Sequence, residues 1–182
     1  DMLRQLGDLS SEEIAQRYSG ESAVAEIIDD LHRQRKIVTL KIAKQERWVA
    51  VEDVALYCHA LGLQPPSGLA RSWLDGFEQS SAHCIEQLLW RYLRSHRCQT
   101  ERQVASRFGL AQRETLAALK SLEDKRKIES GHLQPTPAGR KAELDWCEVE
   151  FLKRWKQRTL AKLRGQVAPV GNQVFAEFLW SW

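Results

Sequence analysis

The chain has 182 residues, 43% hydrophobic and 28% charged, with a formal net charge of +3. This length allows one or two small domains, and the hydrophobic share is ordinary for a globular chain. No apolar run reaches membrane-spanning length and no signal peptide opens the chain, so a membrane is not among the expected partners.

The first residues, Met2, Leu3 and Leu6, read as the end of a helix. Because residue 1 is Asp, the sequence is expected to be a piece of a longer protein. Ser10 stands three residues before Glu13, the spacing of a capping box, and Ile14, Ala15 and Tyr18 then share a helical face. After a break at Ser19-Gly20, Val24, Ile27, Ile28 and Leu31 form the apolar stripe of a second helix. Ile37–Ile42 is β-branched and alternating, and Arg47-Trp48-Val49-Ala50 can fold back on it as a hairpin. A trailing helix is expected over Val51–Leu61, with Val54, Tyr57, Cys58 and Leu61 inward. Pro65-Pro66 cannot continue it.

The same pattern then returns. Ile85, Leu88, Leu89, Tyr92 and Leu93 recur at helical spacing. Thr100 and Gln103 repeat the capping box, with Val104, Ala105 and Phe108 behind it. Gly109 supplies the turn, and Leu116, Leu119 and Leu122 give the next stripe. Ser10–Tyr18 matches Thr100–Phe108 at an offset of 90, and Leu31…Arg35-Lys36-Ile37 matches Leu122…Arg126-Lys127-Ile128 at 91. Two helices joined by a short Gly-bearing turn and followed by a hairpin make a winged helix, here present twice. The second wing is short, Lys127–Leu133 with Gly131 at its tip. After a break at Pro135–Gly139, a long helix is expected from about Asp145 to Arg164, with a core stripe of Leu152, Trp155, Thr159 and Leu163. A last helix is expected over Asn172–Trp180.

The expected fold class is therefore mainly α with small β wings (α+β), in tandem winged-helix domains. Residues 1–62 form the first with its trailing helix, 63–80 a Pro/Gly linker and short connector, and 81–140 the second. Residues 141–182 hold the long basic helix and the start of a following element. Helices are placed near 10–18, 22–36, 84–96, 101–108 and 112–126.

Charge divides the chain. Residues 1–80 carry 9 Lys/Arg and 13 Asp/Glu, and residues 81–182 carry 18 and 11. A polyanion would therefore meet the second half. In copy one the helix that would face a groove offers Glu21, Ser22, Glu26, Asp29 and Asp30, which phosphate repels. In copy two it offers Gln112, Arg113, Thr115 and Lys120, with one Glu114, a set that can hydrogen-bond phosphates and bases. Arg154, Arg158 and Lys162 are four apart on the long helix and form one basic stripe, with Glu150 placed to pair with Arg154. Reversing Lys41 and Lys44, on the first wing, should barely matter. The candidate nucleic-acid residues are thus Gln112, Arg113, Lys120, Arg154, Arg158 and Lys162.

No catalytic residue stands out. Asp145 and Glu148, beside Trp146, are the carboxylates that a base-excising site would need to support a cationic transition state and activate water, although an Asp at that place is more often a helix cap. The four cysteines at 58, 84, 98 and 147 read as reduced thiols. His83-Cys84 and His96-x-Cys98 fit no standard zinc module.

Several segments together resemble the large helicase-related type of bacterial superfamily 2 helicases. They are Glu46-Arg47-Trp48-Val49-Ala50-x-Glu52-Asp53-x-x-x-Tyr57-x-x-Ala60-Leu61-Gly62-x-x-Pro65-Pro66, then Asp145-Trp146-Cys147, then Thr159-Leu160-Ala161-x-Leu163-Arg164-x-Gln166-Val167-x-Pro169-Val170, and a closing Phe178-Leu179-x-x-Trp182. The resemblance implies a C-terminal extension of such a helicase, similar to the tandem winged-helix arrays of AlkZ-like DNA glycosylases. It implies single-stranded or branched DNA, or an RNA–DNA hybrid, as partner, besides the parent's helicase core and, as a further reading, a second copy in a homo-oligomer. It implies a role in DNA repair in the cytoplasm, associated with the nucleoid. ATP and magnesium would belong to the parent's ATPase core and no cofactor to this stretch, which contains neither GxxxxGK[ST] nor an Asp-Glu box. It also lacks the Gln-x-Gln motif of AlkZ-like catalysis, and the alternative readings are a glycosylase-like part or a protein–protein module.

Overall fold

A computed structural model describes residues 1–20, 23–70, 73–74, 79–134, 143–166 and 171–182. Glu21, Ser22 and the break at Pro135–Gly139 lie outside the described residues. The chain divides into two units, Asp1–Val149 and Glu150–Trp182.

The first unit holds both copies. Copy one runs through α1 (Met2–Leu6), α2 (Ser11–Ala15), α3 (Val24–Arg33), β1 (Ile37–Ile42) and β2 (Gln45–Ala50). A 3-10 turn, Val51–Asp53, leads into α4 (Val54–Leu61), which Gly62 ends with φ +63°. Copy two runs through α5 (Ser81–Ser95), β3 (Gln99–Thr100), α6 (Glu101–Phe108), α7 (Gln112–Asp124), β4 (Ile128–Gly131) and β5 (Asp145–Glu148). Both capping boxes form. Ser10 N–H donates to Glu13 at 2.9 Å and Thr100 N–H to Gln103 at 2.8 Å, and each cap hydroxyl accepts the matching N3 amide.

The second sequence match has a physical cause as well. Lys36 N–H donates to the Leu31 carbonyl and Arg35 N–H to His32. In copy two, Lys127 donates to Leu122 and Arg126 to Glu123. This is the Schellman closure of a helix, with Arg35 and Arg126 both at φ +55° where Gly is usual. The shared Leu…Arg-Lys-Ile signature is thus a helix exit leading into a strand.

β1 and β2 pair antiparallel from Ile37↔Ala50 to Ile42↔Gln45, leaving a two-residue turn at Ala43-Lys44. Such a turn needs positive φ at both positions, and here Ala43 has φ +48° and Lys44 +68°. Side chains are disfavoured there. Lys44→Gly is expected to raise stability by about 1 kcal/mol, read as a higher urea midpoint at unchanged slope.

The structure corrects the reading of residues 145–148. The expected long helix begins later, as α8 (Val149–Gln166), and Asp145–Glu148 is the central strand of a three-stranded sheet, β3–β5–β4. All four residues are buried, which suits a strand covered on both faces and not the first turn of a surface helix. The second wing therefore pairs Gly131 with Asp145, fourteen residues further on.

The copies share a core. Leu40, Ile42 and Val49 of the first wing and Leu56 and Tyr57 of α4 pack in one cluster with Leu88, Leu89, Leu119 and Leu122. In the second unit, α8 is followed by α9 (Asn172–Ser181). Of the core stripe expected on α8, only Leu152 is buried. Trp155 and Leu163 are exposed, as are Trp180 and Trp182 near the chain end. Cys84, Cys98 and Cys147 are buried free thiols.

Candidate nucleic-acid surfaces and the clamp between the copies

On α7, Thr115, Ala118, Leu119 and Leu122 face inward, and Thr115 Oγ1 donates back to the Ala111 carbonyl at 3.1 Å. That periodicity turns Gln112, Arg113 and Lys120 outward, and all three are exposed. Thr115, expected among the outward set, is fully buried. Lys120 and Gln112 line a shallow groove that also holds Glu101, Glu123 and Glu143. Those carboxylates weaken Lys120 as a phosphate contact and leave Arg113, outside the groove, the better cation of this helix.

Arg154, Arg158 and Lys162 are exposed on α8, in the second unit. The expected Glu150–Arg154 ion pair is replaced. Glu150 Oε1 accepts from Lys153 at 2.8 Å, while Arg154 Nε donates to the Glu150 carbonyl at 3.2 Å. An i,i+3 partner has taken the direct contact with the carboxylate, and Arg154 keeps only a weaker electrostatic interaction with it. Among the described residues Arg158 and Lys162 have no ion-pair partner.

Asp145 does not have the geometry of a catalytic carboxylate. Its Oδ2 accepts the backbone amides of Leu133 and Gln134 at 3.0 and 2.9 Å, and Oδ1 accepts Gln134 Nε2 at 3.1 Å. The side chain staples the start of the wing loop to β5, and it is not the cap of a helix. Glu148 is buried in the same strand.

Motifs gave no sign of the most highly organised polar cluster. Asp8 and Glu13 of copy one meet Arg107 of copy two. Arg107 Nη2 donates to Asp8 Oδ2 and to the Asp8 carbonyl at 2.9 Å, and Nη1 donates to Glu13 Oε1 at 2.5 Å. Arg47 lies 3.5 Å from Asp8 and 3.4 Å from Glu13. Tyr57 OH donates to Asp8 Oδ1 at 3.0 Å and accepts the Asp8 amide at 2.8 Å. The Arg107 guanidinium also sits 5.1 Å from the Tyr92 ring centre.

Burial works against ionised Glu13, but His96 and Arg107 outweigh it and hold the carboxyl far below its usual 4.5. Desolvation and the like charge of Arg107 push Arg47 down, whereas contact with Glu13 keeps Arg107 raised against the same desolvation. A carboxyl depressed on folding contributes stability above its unfolded pKa and loses it as pH falls towards the folded one. Glu13→Gln keeps the capping-box geometry that Gln103 uses in copy two. The stability gap between wild type and Glu13→Gln is therefore expected to narrow steadily below about pH 4.5, as followed by urea unfolding at each pH.

Copy one also carries an apolar groove of about 420 Å³, lined by Ile14, Tyr18, Val24, Ile27 and Leu31 among others. The equivalent residues of copy two are buried in the core that includes α5. The groove has the chemistry of a helix seat and no array of polar groups for catalysis.

The fold and its exposed helices define a tandem winged-helix module. Residues 1–76 match the family described as the large helicase-related protein, winged-helix domain. The whole chain is 32% identical to the Lhr helicase/probable uracil glycosylase of Mycolicibacterium smegmatis, covering 100% of this chain and 12% of that protein. It is 29% identical to the Lhr helicase/uracil glycosylase of Escherichia coli, over 98% of this chain and 11% of that one. The chain thus spans about an eighth of the length of the curated relatives it matches. A solved structure of a single-site mutant of Lactococcus lactis ZitR covers 89% of this chain at 16% identity and a TM-score of 0.30, too distant to bear on function. The chain is a winged-helix module of the large helicase-related family.

Proposed function

We propose that this module binds nucleic acid as an accessory part of an ATP-dependent helicase acting in DNA repair. The observation that carries the reading is the stripe of Arg154, Arg158 and Lys162, exposed at four-residue steps on a helix whose single Glu is paired elsewhere. Arg113 on α7 adds a second cation. The ligand is single-stranded or branched DNA, or an RNA–DNA hybrid, held through phosphates. ATP and magnesium are used by a helicase core outside this sequence, and that core is the module's protein partner, with a homo-oligomer as a further arrangement in the cytoplasm at the nucleoid. Nucleic-acid binding is favoured over the glycosylase chemistry in the relatives' names because Asp145, the best-placed carboxylate, is occupied by backbone amides.

A salt titration of binding to a labelled oligonucleotide tests this. Phosphate contacts release counterions, so log affinity should fall linearly with log salt, by about 0.7 per contact on a single strand. A slope near zero rejects the proposal. Arg113→Ala should lower that slope by about one contact's worth and weaken binding to unrelated sequences equally. A loss confined to one sequence would make Arg113 a base reader instead.

A further inference from the structure

A polar groove of about 480 Å³ lies between the first wing and α6. Gln45, Arg47, Arg102, Gln103, Ser106 and Arg107 line it together with Tyr92 and Gln99, which are engaged with each other and with the Arg97 carbonyl, and among the described residues no carboxylate lines it. Two of these groups are deeply placed. The Arg47 and Arg107 side chains are 6% and 9% exposed, and the Nε–H of each has no hydrogen-bond partner among the described residues. Their carboxylate partners, Asp8 and Glu13, engage the Nη groups and are not part of the wall.

The remaining wall groups are donors with capacity to spare. Gln45 and Gln103 each use the side-chain oxygen within the protein, towards Arg47 and the Thr100 amide respectively. Their amide NH2 groups are thereby left for a ligand. Ser106 adds an exposed hydroxyl. Arg102, 81% exposed, is held only by a 3.8 Å contact with Glu143. Guanidiniums, amide NH2 groups and a hydroxyl around a concave space match a phosphate and its ester oxygens, which would share Arg47 and Arg107 with Asp8 and Glu13 and would compete with Glu143 for Arg102. The volume falls in the range of ordinary small-ligand pockets.

We propose that this groove is a phosphate-binding site that takes the phosphate of a nucleotide, whether free or within a strand. The site rests on both copies. The wing of copy one supplies Gln45 and Arg47, and copy two supplies Arg102, Gln103, Ser106 and Arg107 from α6, with Tyr92 of α5 and Gln99 of β3 beside them. The clamp that joins the copies also sets the two buried guanidiniums. The inference stands apart from the basic stripe on α8 and does not require it.

The test is nuclear magnetic resonance of the full 182-residue chain, following arginine Nε–H and backbone amide signals. Inorganic phosphate, thymidine 5′-monophosphate and a short oligothymidylate are added in separate titrations. Expected are shifts at the Arg47 and Arg107 Nε–H signals and at the Ser106 amide with the first two probes. Ser106→Glu places a carboxylate in the groove at an exposed helix position and should weaken both by at least about tenfold. Arg102→Ala, also exposed, should weaken them less.

Saturable shifts that Ser106→Glu leaves unchanged overturn the inference, as does the absence of shifts with both small probes. Oligothymidylate binding that persists while both small probes leave the groove unmoved rejects this site and leaves the module's nucleic-acid role standing. Phosphate held in the groove by a chain that binds no oligonucleotide supports the site and rejects that role.

Discussion

Arg107→Ala is expected to lower the stability of the first unit by about 3–5 kcal/mol, because it strands the buried Asp8 and the half-buried Glu13, which have lost their main cation. Asp8 is almost fully buried and takes two contacts from Arg107, one to its carboxylate and one to its carbonyl. Glu13 loses its shortest ion pair. Arg47 remains, but at 3.5 and 3.4 Å it is a poorer partner than Arg107 for both acids. Urea unfolding reads the loss directly. A companion variant separates the clamp from simple packing. In Arg107→Met with Glu13→Gln, most of the hydrocarbon stem is kept and one of the two stranded charges is gone, so much of the loss should return. Recovery that is just as large in Arg107→Met without the Glu13 change would mean that Arg107 matters for packing alone.

This clamp explains part of what the sequence concealed. Glu13 is legible as the third residue of a capping box, a local motif that asks nothing of residues far away. Its partner Arg107 is 94 residues on, and the pairing depends on how two winged helices lie against each other. The internal repeat does not reveal it either, since copy two places the uncharged Gln103 where copy one has Glu13, and the counterpart of Arg107 in copy one, Arg17, donates to the Glu13 carbonyl.

The local signals did carry the fold. Capping spacings, apolar stripes and the Leu…Arg-Lys-Ile exits located α2, α3, α5, α6 and α7, because each is fixed by contacts within a few residues. β5 was hidden for the opposite reason. Its counterpart is β2. Trp48 bridges to Leu9 and Trp146 pairs with Gln99, so the two tryptophans hold the same place in the two sheets. The match sits at an offset of 98, not 91, since the second wing has more residues before its return strand. Only Trp is shared there, with Arg47 facing Asp145 across the repeat. Arg47 went to the clamp between the copies, and Asp145 went to holding the backbone of Leu133 and Gln134. A helix-like run of Trp, Glu and Val residues then made the strand read as the first turn of α8.

Replacing Arg154, Arg158 and Lys162 together with Glu is expected to abolish oligonucleotide binding at moderate salt. Removing three phosphate contacts alone lowers the salt slope by about 2 on a single strand, and the added carboxylates repel what remains. All three side chains are exposed on a helix held in register by its own backbone, and none forms an ion pair with a described residue. The triple variant should therefore keep its helix content, as circular dichroism would show. Of the two wing lysines, Lys44 is the poorer control. Ala43 packs against Gly109 at the turn before α7, where a Cβ would come within 3.4 Å of it, so Lys44 stands beside the helix that carries Arg113. Arg33→Glu with Lys41→Glu is a cleaner comparison, since both residues are exposed in copy one, on α3 and β1. Intact binding in that control and lost binding in the triple variant would assign the phosphate contacts to α8. Equal losses in the two would point to net charge in place of a defined stripe. Binding retained by the triple variant would move the contacts to Arg113 and the rest of the first unit.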